Sequence, residues 1–409
     1  MNKIKIIELF AGLGAPRKAL NNLNIDHEVV GFSEIDKYAE ISYRAIHKDL
    51  ITPNLGDIRK IKELPENDLI TYGFPCQDIS VAGYGKGIKE GTRSGLLLEV
   101  ERLLNIAADK NKLPKYLLME NVDALLSKKH IKDFENWLVK LESLGYRNFY
   151  KILNARDYNI PQNRNRVFCV SVRENNFKYV FPEKRVLKLK LSDLLEDEVL
   201  EKYYLRAEKV QAFLEKYNYE IKDLETGIYP CVTPDRLEKR QNGRRFKGDN
   251  EEMFTLTTQD RHGIIKIGSL TDRDSQGERV YTTDMAVTLN ANGGGLGAKT
   301  GLYLINKDIS YCIDANYTKG TTLEDYFKKK RRQLVSDKTF GIRRLTPQEC
   351  FRLMGFSDHD YERVRLAGIS DSQAYKQAGN SIVVNVLEAI FETLFIENSK
   401  NQSSEYRLF

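Results

Sequence analysis

The chain has 409 residues, 41% of them hydrophobic, and a formal net charge of +6. That is enough for one large core and a second, smaller unit, and the mild basic excess suits an anionic partner without naming one. The five cysteines, Cys76, Cys169, Cys231, Cys312 and Cys350, are widely spaced with no CxxC pair, which argues against a structural zinc site or a disulfide framework and for a reducing compartment.

No secretory leader and no run of about 20 apolar residues is visible, so a soluble, intracellular protein is expected. Residues 4–10, Ile-Lys-Ile-Ile-Glu-Leu-Phe, read as a first strand. Ala11-Gly-Leu-Gly14 follows, then a helix to Leu23. Strand, tight glycine turn and helix form the nucleotide-binding opening of a doubly wound sheet, although a lone GxG is as often only a tight turn. Val29–Glu34 reads as a second strand ending in an acid. Glu34 lies about 20 residues beyond the glycines, where an acid reaches ribose hydroxyls in this architecture; the plainer reading is a helix-cap neighbour. Residues 38–47 are expected to be helical, and residues 54–58 to end a third short element. Asp57 there is either an adenine contact or a turn residue.

Asp68–Tyr72 reads as a buried strand that Pro75 must end, since proline cannot donate to a ladder. Cys76 then lies on a loop at the strand's carboxyl end, the edge where open α/β sheets bind ligands. A thiol there is a candidate nucleophile, or a small buried residue. The glycine-rich stretch 80–95 reads as a loop that closes over a site. A helix over 96–108 and a strand over 116–119 come next, the latter ending at Glu120-Asn121. A helix over 133–144 stops at Gly145, and strands over 150–154 and 167–172 complete the sheet around Gln162-Asn-Arg164-Asn-Arg166.

From residue 186 to 335 the βαβ alternation fades. Basic clusters (Arg236, Lys239, Arg240, Arg244, Arg245, Lys247), strand-like Phe254-Thr-Leu-Thr-Thr and a glycine loop at 293–297 replace it. Such a mixture suits phosphate and base-edge contacts, with Arg244 and Arg245 as candidates, although a charge run is more often a solvated face. Thr346 is expected to cap a helix with Pro347 in its first turn and Glu349 at its third position. Gln377-Ala-Gly-Asn380-Ser381 is expected to open an apolar helix running to Ile396, its N-terminus suited to a polar or anionic ligand group.

In order along the chain, Phe10-Ala-Gly-Leu-Gly, Gly73-Phe-Pro-Cys-Gln, Met119-Glu-Asn-Val, Gln162-Asn-Arg-Asn-Arg, Arg344-Leu-Thr-Pro-Gln-Glu-Cys and Gln377-Ala-Gly-Asn-Ser resemble the motif set of DNA (cytosine-5)-methyltransferases. The resemblance covers most of the chain outside 186–335. It implies a Rossmann-like class I methyltransferase sheet over 1–185, a smaller, mainly β or irregular target-recognition domain over 186–335, and a return to the catalytic domain over 336–409. It implies S-adenosylmethionine as methyl donor and double-stranded DNA as partner. The enzyme would act as a cytoplasmic monomer in a bacterium or phage, with a cognate restriction endonuclease acting separately where one exists.

By the same resemblance Cys76 attacks C6 of cytosine, Glu120 serves N3, and Arg166 with Arg164 contacts O2. Phe10, Gly12, Leu13, Gly14, Glu34, Ile35, Asp57, Ile58, Pro75, Asn380 and Ser381 would hold the cofactor, and Gln77, Ser80 and Arg93 would contact DNA. Glu8 stands where the family often has Asp, Ala15 where a second glycine is frequent, and Ile35 where an aromatic often stacks on adenine. The alternatives are a tRNA cytosine methyltransferase and a catalytically silent DNA-binding relative.

Overall fold

A computed structural model describes residues 3–74, 95–174, 177–203, 227–232, 244–257, 262–267, 280–281, 302–303 and 341–397. Cys76 lies outside them, as do Pro75, Gln77, Ser80, Arg93 and the whole 80–94 loop. The chain divides into two compact units, Met1–Leu189 with Cys350–Phe409, and Lys190–Glu349.

The first unit is built on six strands: β1 (Ile4–Leu9), β2 (His27–Ser33), β3 (Leu69–Tyr72), β4 (Tyr116–Val122), β5 (Arg147–Asn154) and β6 (Asn165–Val172). They lie in the order β2-β1-β3-β4-β6-β5. The pairs among β2, β1, β3 and β4 are parallel, whereas β6 runs antiparallel to both β4 and β5. The central strands are near-continuous apolar runs because helices cover both faces; all four residues of β3 are buried.

On one face, alternate strand residues Ile7, Leu9, Ile70, Tyr72, Leu117, Met119, Val167 and Cys169 share a core cluster with two helices. These are α3 (Leu96–Asp109), through Leu97, Val100, Leu103 and Leu104, and α4 (Ile131–Ser143), through Phe134, Trp137 and Leu141. The helical spacing of those side chains turns one stripe of each helix onto the sheet. Elsewhere in the unit lie α1 (Ala15–Asn22) and α2 (Lys37–His47), which follow β1 and β2. The C-terminal segment adds α6 (Asp358–Leu366), α7 (Asp371–Asn380) and α8 (Val384–Phe391), the last packed against α1.

Gln377–Asn380 is thus the end of one helix, not the start of the next. Ser381 caps α7, and α8 begins only at Val384. Residues 371–397 are long and apolar enough to cross a membrane by composition, but they are largely buried inside the fold.

The described part of the second unit centres on an antiparallel sheet of β7 (Gly227–Val232), β8 (His262–Ile267) and β11 (Gly341–Arg344), in the order β11-β8-β7. Two further two-residue strands, β9 (Val280–Tyr281) and β10 (Leu302–Tyr303), pair in parallel. The expected strand at Phe254 is absent over the described 254–257. The start of α5 (Pro347–Leu353) carries the expected capping box: Thr346 N donates to Glu349 Oε2 at 2.8 Å and Glu349 N to Thr346 Oγ1 at 3.2 Å. Glu349 also receives both arms of the buried Arg343 guanidinium, at 2.7 and 2.8 Å. Cys169, Cys231 and Cys350 are buried and form no disulfide.

Candidate active site

The carboxyl ends of β1, β2, β3 and β4 share one edge, and the connections out of β1 and β3 leave to opposite sides. That reversal opens the crevice where such sheets bind ligands. The turn out of β1 is sharply bent. Phe10, Gly12 and Gly14 all have positive φ, at 57°, 54° and 71°. A bulky residue in the left-handed region costs about 1–2 kcal/mol, and such positions cluster where a ligand is held. Below the turn, His47 Nε2 donates to Leu13 O at 3.0 Å, and any side chain at Gly14 would strike His47 and the Tyr43 ring. Above it the space is open: a Cβ on Gly12 would meet nothing within 4 Å.

Glu34 lies one residue beyond β2. Its Oε2 accepts from Gly12 N at 2.9 Å and its Oε1 from Asp36 N at 2.8 Å. Two lone-pair positions remain for hydroxyl donors. Asn54, which sequence reasoning passed over, sets this acid in place. Its Oδ1 accepts from Glu34 N and Gly56 N, and its Nδ2 donates to Glu34 O. Residues 54–58 form no strand; Asn54 makes an isolated bridge to Phe32, and Asp57 caps a single helical turn at Ile58–Lys60. The Asp57 carboxylate pairs with the exposed Arg59, which holds it below the usual range. Leu13 and Ile58 are buried, and Ile35 is exposed beside Glu34.

Across the crevice, Glu120 and Asn121 belong to β4, which runs on to Val122. Antiparallel β6 places Phe168 opposite Glu120 and Arg166 opposite Val122. Glu120 and Arg166 are therefore diagonal neighbours on one face, within reach of each other. Arg166 Nε stands 3.1 Å from Glu120 Oε1. Burial pushes the Glu120 carboxyl above its ordinary value, and the Arg166 and Arg164 charges pull it back. Gly73 lies against the same group, since a Cβ there would come to 3.3 Å from Glu120 Oε2. Asn121 Nδ2 donates to Phe74 O at 3.1 Å. The chain leading into Cys76 is thus fastened beside the Glu120–Arg166 pair, with residues 75–94 outside the described set.

Arg164 acts on Glu120 through its charge. Its side chain is buried, and Nη2 donates to Gly379 O at 3.1 Å and Ser381 O at 2.8 Å. Two expectations need correction. Asn380 and Ser381 stand at the C-terminal end of α7, whose carbonyls Arg164 neutralises, and not at an anion-attracting N-terminus. Arg245 is buried, so it offers no surface to a partner, while Arg244 is exposed and pairs with Glu251 at 2.6 Å.

A doubly wound sheet with a glycine turn and an acid at its switch point, and a second unit carrying a small antiparallel sheet, defines a Rossmann-like methyltransferase fold. Solved structures share it. An Entamoeba histolytica methyltransferase, EhMeth, superposes with a TM-score of 0.60 at 17% identity over 97% of this chain and 99% of that one. The Dnmt2 methyltransferase of S. pombe does so at 0.55 and 18%, over 97% and 99%. The C-5 cytosine-specific DNA methylase family matches residues 4–396, and the chain belongs to that family. It is 34% identical to the type II methyltransferase M2.ScrFI of Lactococcus lactis subsp. cremoris, over 96% of this chain and 99% of that protein. It is 30% identical to the orphan methyltransferase M.SPBetaI of Bacillus phage SPbeta, over 99% and 100%. It is 32% identical to the type II methyltransferase M.HhaI of Haemophilus parahaemolyticus, over 95% and 93%. Methyltransferases of this family use S-adenosylmethionine.

Proposed function

We propose that the chain methylates C5 of a cytosine flipped out of a specific duplex DNA sequence, through a transient bond between Cys76 Sγ and C6. The observation that carries this reading is the Glu120–Arg166 pair, beside the segment that leads into Cys76. Flipping costs a few kcal/mol, because C5 and C6 cannot be approached from both faces inside a stacked duplex. The 80–95 loop, with Gln77, Ser80 and Arg93, would offset part of it by closing on the base and its phosphates.

C5 is a poor nucleophile while the ring is aromatic. Addition of the Cys76 thiolate to C6, with the Glu120 carboxyl giving its proton to N3, leaves an enamine at C5. The desolvated Glu120 suits that task, because burial favours its protonated form. Arg166, 3.1 Å from Glu120, would donate to O2 and steady the charge that develops there. Once C5 is methylated, a base takes the C5 proton, the Cys76–C6 bond breaks and aromaticity returns.

The residues fit S-adenosylmethionine. The open space over Gly12, the remaining lone pairs of Glu34, the partly exposed Phe10 and the exposed Asn380 would together hold a nucleoside with a polar tail. Leu13, Gly14, Ile35, Asp57, Ile58, Pro75 and Ser381 would complete it. When bound, this donor supplies an electrophilic methyl on a sulfonium. The residues between 186 and 335 would read the DNA sequence, with Arg244 among the phosphate contacts. The reading places a monomer with the DNA in the cytoplasm, with any cognate endonuclease acting separately.

The test uses DNA with 5-fluorocytosine at a site that bisulfite sequencing shows to be methylated. The fluorine blocks loss of the C5 substituent, so a covalent adduct should accumulate with the wild type and vanish with Cys76→Ser. Methylation without an adduct, or normal turnover by Cys76→Ser, removes the covalent route. Methylation of tRNA and not of DNA removes the substrate.

A further inference from the structure

The stretch 162–166 carries a functional side chain at every second position. In an extended chain such residues share a side, and the intervening ones share the other. Gln162 and Arg164 are buried, and Arg166 faces Glu120. Asn163 and Asn165 turn away, and each accepts from Asn154 Nδ2 at 2.7 Å. Asn154 Oδ1 in turn accepts from Arg164 N at 3.3 Å. The stretch is therefore held along its length. At one end Gln162 Nε2 donates to Leu353 O at 2.8 Å, in the middle Arg164 holds the carbonyls on either side of Asn380, and at the other end Arg166 meets Glu120.

We propose that Arg164 is a positioning residue that ties the two halves of the active centre together. It fixes the Gly379–Ser381 turn, and with it Asn380, to the same short segment that aims Arg166 at the base. The cofactor side and the cytosine side are thus parts of one rigid piece. A ligand that orders the turn also orders Arg166, and linkage requires the reverse effect to be equally large. The guanidinium suits the task because its fork reaches two carbonyls at once, where an ammonium is a point donor on a flexible stem. This inference rests on the methyltransferase reading above.

The experiment measures the affinity of the full-length protein for S-adenosylhomocysteine by calorimetry, with and without a duplex bearing the target cytosine. Wild type, Arg164→Lys, Arg164→Met and Arg166→Lys are compared, with melting temperatures as a folding control. Arg164→Met should weaken the nucleoside by roughly tenfold or more and shrink the mutual enhancement with DNA, since typical couplings are roughly 5- to 150-fold. Arg164→Lys, the variant to read if Arg164→Met fails to fold, should fall between. Arg166→Lys should leave nucleoside affinity within about twofold, because it removes no contact to the turn, while slowing adduct formation on 5-fluorocytosine DNA. Wild-type nucleoside affinity and wild-type coupling in both Arg164 variants overturn the proposal. So does an Arg164 variant that loses only adduct formation, which would put its guanidinium at the base. A wild-type protein that binds no S-adenosylhomocysteine and methylates no DNA sinks the functional reading instead.

Discussion

Glu120 and Arg166, far apart in sequence, stand 3.1 Å apart because β6 enters the sheet antiparallel to β4 and brings its first residues to the end where β4 finishes. The carboxyl is pushed up by burial and pulled down by the guanidinium. Glu120→Gln keeps the shape and loses the transferable proton, so single-turnover methylation should slow about 10²- to 10⁴-fold with DNA affinity retained. The pH profile carries a second expectation. The wild-type rate should fall on the alkaline side as Glu120 loses its proton. Arg166→Met removes the charge that favours ionisation, so its lower rate should persist to higher pH. An alkaline limb that stays put in Arg166→Met would show that another group sets it.

His47 gives a stability test of the turn. Its half-buried ring packs beneath Leu13 and Gly14, and desolvation there, with Arg17 nearby, pushes it down to about 3 from an ordinary 6.5. Above the ordinary value His47 is neutral in both the folded and the unfolded chain. Below it the unfolded chain takes up a proton that the folded one refuses. Stability is therefore full above pH 6.5 and is lost as pH falls toward 3, by about 1.4 kcal/mol per pH unit from this group alone. His47→Gln keeps a donor for Leu13 O and removes the titration. Urea unfolding of the two proteins between about pH 7 and about pH 5 should diverge, the wild type losing more. Parallel losses would show that the ring is accessible to protons in the folded state.

The first half of the sheet was legible because its signals are local. The apolar run of β1, the glycines after it and the acid after β2 lie close together in sequence and specify a known turn. The Thr346–Glu349 box is equally local, three residues across. The direction of β6 carried no signal, since an apolar strand reads the same either way along the chain. The break between α7 and α8 was hidden because Ser381-Ile-Val-Val continues an apolar pattern, although Ser381 turns extended and ends the helix there, where tertiary contacts also meet it. One of those is the Arg164 bond to Ser381 O, spanning 217 residues, which no window of sequence contains. The Gln-x-Arg-x-Arg motif was recognisable, but the division of labour between its arginines belongs to the packing.

The two glycines of the turn should fail differently when replaced. Alanine at Gly12 meets no protein atom within 4 Å, so it should fold, at a backbone cost of about 1–2 kcal/mol. If the nucleoside lies over this turn as proposed, the variant should bind S-adenosylhomocysteine at least about tenfold more weakly, because the added methyl would enter the nucleoside's space. Alanine at Gly14 collides with His47 and Tyr43 from within the protein, and should lower the melting temperature first. Thermal melting beside calorimetric titration separates the two. Unchanged affinity in Gly12→Ala would place the nucleoside away from this turn.

Sequence specificity should be transferable as a block if its frame is kept. The buried Arg343–Glu349 pair joins β11 to the first turn of α5, and breaking such a pair by removing one partner costs about 3–5 kcal/mol. An exchange that carries residues 204–340 of a relative and retains 341–349 leaves this pair intact, along with the Glu120, Arg164 and Arg166 contacts. Bisulfite sequencing of DNA treated with the chimera should show the relative's target methylated, with S-adenosylhomocysteine affinity unchanged. The original target persisting in a folded, active chimera would place base reading in the retained residues.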